Sequence, residues 1–248
     1  MRGRIPVALA LLLLAAPAIA DNPAECRVAE QFAVADFPLP FVKRALAKKE
    51  LGILVLGAGS SILPGPNGAK TAYPARLQQA LTEKLPGIAI KLTTDVRAKR
   101  TAAAMVQALP ADLAANKPML LIWQTGTVDA MQAVDPDHFN AALDHGINIA
   151  HSAAADVVLV NSQYSPRTET MIALGTYEEN LRWVAVQQEI PLFDRFGIMK
   201  IWAELGTFDL NSATKKLEIA EHVHDCIGRL LADLIIDAVK PDEPPTKE

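Results

Sequence analysis

The sequence predicts an α/β fold, a three-layer α/β/α sandwich built on a five-stranded parallel sheet. Residues 51–56 form a nearly continuous apolar run, which is typical of a parallel strand that helices cover on both faces. Four further short apolar strands alternate with longer segments that carry helical apolar stripes. This alternation favours the doubly wound strand order 2-1-3-4-5, in which ligands bind where the order reverses, between the first and third strands.

Each element is predicted from the spacing of apolar residues and from residues that end helices. Leu77, Leu81 and Leu85 recur every four residues before Pro86, which indicates a helix over 73–85. A further helix is expected to begin at Asp135. The predicted strands are 51–56, 88–93, 118–124, 156–160 and 191–193, and the other predicted helices are 41–50, 101–116 with an interruption at Pro110, 168–189, 199–204 and 215–239.

The first 20 residues have the composition of a secretory signal peptide. Arg2 and Arg4 precede the apolar segment 7–16, and residues 18–20 form a small-x-small cleavage site. We therefore expect a mature protein that is exported to the bacterial periplasm and has no membrane span. The predicted organisation is a signal peptide at 1–20, an N-terminal arm and short helix at 21–50, the main domain at 51–239 and a disordered tail at 240–248.

The charge balance argues against nucleic acid and anionic membranes as partners. The sequence has 24 basic and 28 acidic residues, and removal of the leader takes away two arginines, which leaves a net charge of −6. Nucleic acids and anionic membranes are bound mainly through clustered Lys and Arg, and with this net charge no basic face is expected. A small-molecule or glycan partner is therefore the expectation.

The sequence contains two cysteines, Cys26 and Cys226. Their spacing does not match a metal-binding motif, and an oxidising compartment favours a disulfide between them. The predicted disulfide joins the N-terminal arm to the last helix.

The loop after the first strand is rich in glycine and contains two adjacent serines, Ser60 and Ser61. Gly57 and Gly59 begin a dinucleotide-binding pattern, but Ile62 occupies the position of its third glycine, so this pattern is incomplete. A serine-nucleophile turn fits the loop better, and a pair of serines that simply caps a turn is the structural alternative.

Three segments are expected to meet at one crevice: the serine loop, the loop 124–129 and the segment 221–224. A serine hydroxyl becomes a good nucleophile when a histidine accepts its proton and a carboxylate orients that histidine. His224 is the candidate base, and Glu221, three residues earlier on the same helix face, is the candidate orienting acid.

The order of these segments resembles the SGNH/GDSL hydrolase family, which includes secreted esterases and lipases, across essentially the whole mature chain. The family has Gly-Asp-Ser after its first strand, Gly-x-Asn-Asp in its third block and Asp-x-x-His in its last. The corresponding segments here are 59–61, 126–129 and 221–224. The resemblance implies a flavodoxin-like strand order. It also implies Ser60 or Ser61 as the nucleophile: Gly59 taken as the family glycine favours Ser61, whereas an ungapped count from Gly57 favours Ser60 or even leaves Gly59 at that place.

Two departures from the family pattern concern the oxyanion site. The residue nearest to the glycine of the second block is Val96, and Val128 replaces the asparagine of the third block. The remaining candidates are the backbone amides near Gly59 and Gly126 and the Thr127 hydroxyl. Loss of one oxyanion donor slows acyl transfer by roughly 10²–10³. The resemblance therefore implies a slow serine esterase or acyl transferase.

The main alternative is a catalytically weak or inactive protein that keeps the fold and binds a glycan or a partner protein. The replaced glycine and asparagine favour it. No metal and no cofactor are expected, since the histidines lack an accompanying acidic or thiol cluster. Asp129 is a candidate cap of a helix after the third strand. The segment 163–167 is a candidate wall of a substrate pocket, and an ordinary turn at Ser165 and Pro166 is the alternative.

Overall fold

Five parallel strands form one central sheet in the computed structural model, which describes residues 22–211 and 216–240. The sheet order is β2-β1-β3-β4-β5, as predicted, so the order reverses between β1 and β3. The second strand is three residues longer at its end than the predicted 88–93. The strands are β1 (Glu50–Gly57), β2 (Ala89–Val96), β3 (Leu120–Gln124), β4 (Asp156–Val160) and β5 (Leu192–Phe193).

Ten α-helices connect and cover the strands within the described ranges. They are α1 (Pro40–Ala47), α2 (Gly68–Thr71), α3 (Tyr73–Lys84), α4 (Ala102–Asn116), α5 (Thr127–Met131), α6 (Pro136–Ser152), α7 (Pro166–Met171), α8 (Gly175–Gln187), α9 (Arg195–Glu204) and α10 (Leu217–Asp237). Short 3₁₀ turns occupy Ala24–Cys26, Glu30–Phe32 and Gly59–Ser61.

Several helix boundaries differ from the prediction. Helix α4 continues through Pro110 without interruption, because the buried residues Val106, Leu109 and Leu113 hold its apolar face against the core. The expected helix 168–189 is two helices, α7 and α8, since Ile172 between them is extended. Helix α9 begins four residues before the predicted residue 199, and the short helices α2 and α5 were not predicted.

The two faces of the sheet support separate apolar cores. Leu51, Ile53 and Val55 of β1 pack with residues of α1, α3, α9 and α10, whereas Leu54 and Leu56 pack with α4, α6 and α8. This alternation follows from the two-residue period of a strand. The predicted α/β/α sandwich is confirmed.

The N-terminal arm is tied to the last helix by the predicted disulfide. Cys26 and Cys226 are bonded, with their Cα atoms 4.9 Å apart, and both are buried. Asn22 also donates a hydrogen bond to Asp233 of α10 (Nδ2 to Oδ2, 2.6 Å). The arm is therefore part of the packed structure and does not extend from it.

Two predicted segments, one at each end of the chain, lie outside the described ranges. The predicted signal peptide at 1–20 and residues 241–248 of the predicted tail lie outside the described residues. Among the helices that are described, none has the length and apolar character required to cross a membrane.

Helices α3 and α10 approach each other closely because α10 carries a glycine at their contact. A Cβ atom on Gly228 would lie 2.6 Å from the Cβ of Arg76 and 2.7 Å from the backbone nitrogen of Leu77. The small residue lets the two helices pack nearly backbone to backbone, and this contact positions the start of α3 beside His224, one turn earlier on α10.

We predict that Gly228→Ala destabilises the protein despite the better helix propensity of alanine. Overpacking of this contact should lower the free energy of unfolding by about 1–3 kcal/mol in urea titrations. Gly175→Ala is the matched control, because a Cβ there meets no atom within 4 Å. The control should be neutral or stabilising by up to about 1 kcal/mol. Equal stability of the wild type and Gly228→Ala would contradict the proposed close contact.

Candidate functional site

The candidate site lies at the carboxyl edge of the sheet, where the loops after β1, β3, β4 and β5 meet. The serine turn follows β1, Gln163 follows β4, and Arg195 follows β5 at the start of α9. His224 reaches the same region from α10, so it lies with Arg195 and Ser60 along one pocket. The expectation that the serine loop and the last helix approach each other is therefore met.

Both candidate serines donate hydrogen bonds to a glutamine, and within the described part of the chain neither is bonded to a histidine. The Oε1 atom of Gln124 accepts from Ser61 Oγ at 2.8 Å and from Ser60 Oγ at 3.1 Å. It also accepts from the backbone N–H of Ala58 at 3.3 Å. Ser61 Oγ lies 3.1 Å from the hydroxyl of Tyr73 and is buried. Gln124 thus anchors the whole serine turn to the end of β3.

Gly59 begins the short turn that follows the first strand. Strand β1 ends at Gly57, and Gly59 is the first residue of the 3₁₀ turn that follows. Gly57 must lack a side chain, because a Cβ there would lie 2.9 Å from the Cβ of Ser61. Ser60 and Ser61 are the second and third residues of this turn.

His224 is buried, and its ring is held by a backbone amide. Its Nδ1 atom accepts a hydrogen bond from the backbone N–H of Tyr73 at 2.9 Å. Because that amide can only donate, Nδ1 carries no proton and the neutral ring carries its proton on Nε2. Burial, followed by the charge of Arg195, lowers the pKa of His224 well below its usual 6.5. At neutral pH the ring is a neutral hydrogen-bond donor through Nε2.

The expected pairing of Glu221 with His224 is not present. Within the described part of the chain, Glu221 has no hydrogen bond or ion pair with His224, and the Nδ1 atom that it was expected to orient is occupied by Tyr73. His224 faces the buried contact with α3, whereas Glu221 remains partly exposed on α10. The neighbouring His222 lies on the surface, 3.4 Å from the carboxylate of Glu25.

The predicted oxyanion residues are dispersed around the serine turn. Val96 pairs with Gly57 in the β1–β2 register and lines neither of the two pockets at this edge. Gly126 is buried with φ of 97°, a left-handed conformation that favours glycine, and it precedes α5. Thr127 and Val128 open that helix, and the buried Thr127 hydroxyl makes no hydrogen bond within the described residues.

Asp129 serves as a helix cap, although for a different helix from the one expected. Its carboxylate accepts from the backbone N–H of Ala102 at 2.9 Å through Oδ1 and 3.2 Å through Oδ2. Ala102 is the first residue of α4, so Asp129 stabilises the helix that precedes β3. Burial raises the pKa of Asp129 above its usual value.

Two pockets flank the serine turn. The larger, of about 580 Å³, contains Arg195 and His224, and the smaller, of about 380 Å³, contains Thr127 and Val128. The candidate base and the candidate oxyanion side chains therefore line different pockets. The predicted wall at 163–167 lines the larger pocket through Gln163, Tyr164, Ser165 and Arg167. Gly59, Ser60 and Gln163 line both pockets.

Arg195 is the principal residue of the site that the sequence analysis missed. Its side chain is fully buried, donates from Nη1 to the carbonyl of Ser60 at 3.1 Å and from Nη2 to Oε1 of Gln163 at 3.3 Å. Its guanidinium lies 5.4 Å from the centre of the Tyr73 ring. Burial lowers the pKa of Arg195 to about 10, so it stays cationic at neutral pH. The available signal was a charged pair, Asp194 and Arg195, directly after a buried strand.

We predict that Gln124→Leu destabilises the protein, because it removes the acceptor shared by two serine hydroxyls and one backbone amide. A buried donor without a partner costs about 1–3 kcal/mol, so chemical denaturation should show a loss of at least that size. Gln107→Leu, an exposed substitution on α4, is the control and should change stability by less than about 0.5 kcal/mol. Wild-type stability of Gln124→Leu would show that the glutamine does not anchor the turn.

A second prediction concerns Glu178 of α8, which accepts a hydrogen bond from the backbone N–H of Ser162 (Oε1, 3.3 Å) beside Gly126. Burial raises the pKa of Glu178 from 4.5 to about 7. Because the folded protein holds this proton more tightly than the unfolded chain, the contribution of Glu178 to stability falls as pH rises from about 4.5 to 7.

Glu178→Gln, which stays neutral, should therefore be more stable than the wild type at pH 8 and lose that advantage at pH 5. The melting temperatures of both proteins across this range provide the measurement. Glu179→Gln, an exposed neighbour, should show no such pH-dependent difference. A constant difference between Glu178→Gln and the wild type at both pH values would contradict the raised pKa.

Comparison with solved structures shows the fold clearly. A catalytic mutant of an acetylxylan esterase from Geobacillus stearothermophilus has a TM-score of 0.60 and 16% identity, with 75% of this chain and 94% of that chain covered. The psychrotrophic esterase EstA from Pseudoalteromonas sp. has a TM-score of 0.56 and 17% identity, with 74% of this chain and 96% of that chain covered. TesA has a TM-score of 0.57 and 20% identity, with 73% of this chain and 99% of that chain covered.

At these identities the structural likeness establishes the fold, which this chain shares with all three proteins. A search of curated proteins finds no significant match. The profile of the non-GDSL lipase-like family, in contrast, matches residues 25–241, which is nearly the whole chain after the predicted leader. The resemblance inferred from the motif order is therefore confirmed, and the chain belongs to the non-GDSL lipase-like family.

Proposed function

We propose that this protein binds a small acyl-bearing or glycan ligand in the larger pocket and hydrolyses esters weakly or not at all. The observation that carries the proposal is the hydrogen bond from the Tyr73 backbone N–H to Nδ1 of His224. The fold and family of esterases supply the pocket, and the local contacts argue against a working triad.

In a serine triad, Nε2 of the histidine accepts the serine proton while Nδ1–H donates to a carboxylate. The contacts of His224 require the opposite tautomer, with the proton on Nε2. Conversion to the catalytic tautomer would direct Nδ1–H against the N–H of Tyr73. The ring would then lose a buried hydrogen bond without gaining a carboxylate, because Glu221 makes no described contact with it. His224 is therefore poorly suited to act as a general base.

The nucleophile and the oxyanion site weaken the hydrolase further. The Ser61 hydroxyl is buried and bonded to Gln124 and Tyr73, so it is not presented to a substrate. Val128 offers no side-chain donor where the family has asparagine. Each loss alone lowers the rate of acyl transfer substantially, and together they favour binding over turnover.

A slow serine hydrolase is the second candidate, and one observation favours it. Ser60 is partly exposed and lines the same pocket as His224. In this mechanism Ser60 is the nucleophile, His224 is the base after release from Tyr73, Glu221 orients it, and backbone amides near Gly59 and Gly126 bind the oxyanion. The acyl group is then hydrolysed or transferred.

We also propose that the protein works after export, most simply in a bacterial periplasm. The predicted leader supports this location, and so does the buried disulfide between Cys26 and Cys226, since such bonds persist in oxidising compartments.

Reaction with a fluorophosphonate probe and cleavage of p-nitrophenyl butyrate distinguish the two candidates. We expect no covalent labelling of the purified mature protein and a cleavage rate that does not change in Ser60→Ala, Ser61→Ala or His224→Ala. An acetylated xylo-oligosaccharide or a short ester that raises the melting temperature should be recovered intact by mass spectrometry.

Labelling of Ser60 that disappears in both Ser60→Ala and His224→Ala would establish the serine hydrolase instead. The effects of these two substitutions should then be non-additive, because the members of a triad act as a unit. Melting curves of each variant verify that the fold is retained.

A further inference from the structure

The larger pocket contains a buried positive charge that has no counter-ion among residues 22–211 and 216–240. Arg195 is fully buried, and among the described residues no carboxylate forms an ion pair with it. Its hydrogen-bond acceptors are two neutral groups, the Ser60 carbonyl and the Gln163 side chain. The Nε atom is buried without any partner within the described residues. Such a group is costly, because burial removes water from a charge without supplying an opposite one.

Neighbouring acidic groups do not compensate this charge. Asp194 is adjacent in sequence, but its carboxylate accepts from Gly197, Asn161 and Arg182. Tyr73 lies beneath the guanidinium, but burial raises the pKa of its hydroxyl, so it remains a neutral phenol. The charge of Arg195 is therefore available to pair with a ligand that enters the pocket.

The rest of the pocket lining combines hydrogen-bond donors with apolar side chains. The Nε2–H of His224 is unpaired within the described residues, and His224 lines the pocket beside Arg195. Arg167 is a second cation at the lining, and it is exposed. The apolar part of the lining includes Leu63, Met199, Leu210, Leu217 and Val223. A volume of about 580 Å³ lies within the range typical of small-molecule sites.

We propose that the ligand of this pocket is an amphipathic organic anion, whose carboxylate or phosphate oxygens bind Arg195 and whose hydrocarbon part contacts the apolar wall. A guanidinium pairs with two oxygens of such a group at once, and His224 Nε2–H adds a donor. The inference rests on the proposed function, since it names the class of ligand that the same pocket binds.

Calorimetric titration of the mature protein with octanoate, octyl phosphate and neutral octanamide tests the charge directly. A charge-assisted hydrogen bond contributes about 1.5–3 kcal/mol, so at least one anion should bind roughly tenfold or more tighter than octanamide. The preferred anion identifies the head group. Equal affinities for all three probes would overturn the inference, and so would the absence of binding by all of them.

Substitutions identify which arginine binds the anionic head group. Arg195→Met should abolish the preference for the anion and leave the affinity for octanamide within about threefold, whereas Arg97→Met, an exposed arginine beyond β2, should keep the wild-type preference. Loss of the preference in Arg167→Met with retention in Arg195→Met would move the anion to Arg167 and refute the role of Arg195. If Arg195→Met does not fold, the comparison of probes on the wild type still decides.

The outcome of the fluorophosphonate and ester-cleavage assays does not depend on the outcome of the calorimetric titration. Fluorophosphonate labelling together with a tenfold preference for the anion would overturn the non-hydrolytic function and retain the anionic ligand. Lack of labelling together with equal affinities would retain the binding function and reject the anionic ligand.

Discussion

The hydrogen bond between the Tyr73 amide and His224 Nδ1 determines much of the chemistry available at this site. It depends on tertiary packing, because Tyr73 begins α3, His224 lies on α10, and Gly228 lets the two helices approach. The disulfide at Cys226 also fixes α10 against the N-terminal arm. The same packing that stabilises the domain therefore holds the histidine in a tautomer suited to donating a hydrogen bond and unsuited to accepting a serine proton.

A buried polar network extends from this bond across the carboxyl edge of the sheet. Tyr73 connects His224 to Ser61, and Ser61 connects to Gln124. Arg195 packs over the Tyr73 ring and binds the carbonyl of Ser60. Buried polar groups of this kind are stable when they are paired, and each link here positions the next. The serine hydroxyls are consequently paired with neutral groups, and the positive charge of Arg195 lies at the adjoining pocket.

The fold was largely predictable, and the site was predictable only in part. Apolar runs and helical stripes identified all five strands, their order and most helices, because burial of one face leaves a periodic pattern in the sequence. The segment 163–167 was also correctly placed at a pocket. Glu221 was expected beside His224 from its spacing, yet only His224 faces α3. Spacing on a helix determines which residues share a face, but not which partner that face meets.

The sequence by itself determined the α/β sandwich, the Cys26–Cys226 disulfide and the replacement of the family asparagine by Val128, since each follows from local pattern or residue identity. Only the tertiary structure decided which atoms pair at the sheet edge. Gln124 accepts hydrogen bonds from both serines because β1 and β3 are neighbours in the sheet. Arg195 is buried because α9 begins at that edge of the sheet. These contacts join residues more than 60 positions apart, and a single sequence carries no periodic signal for them.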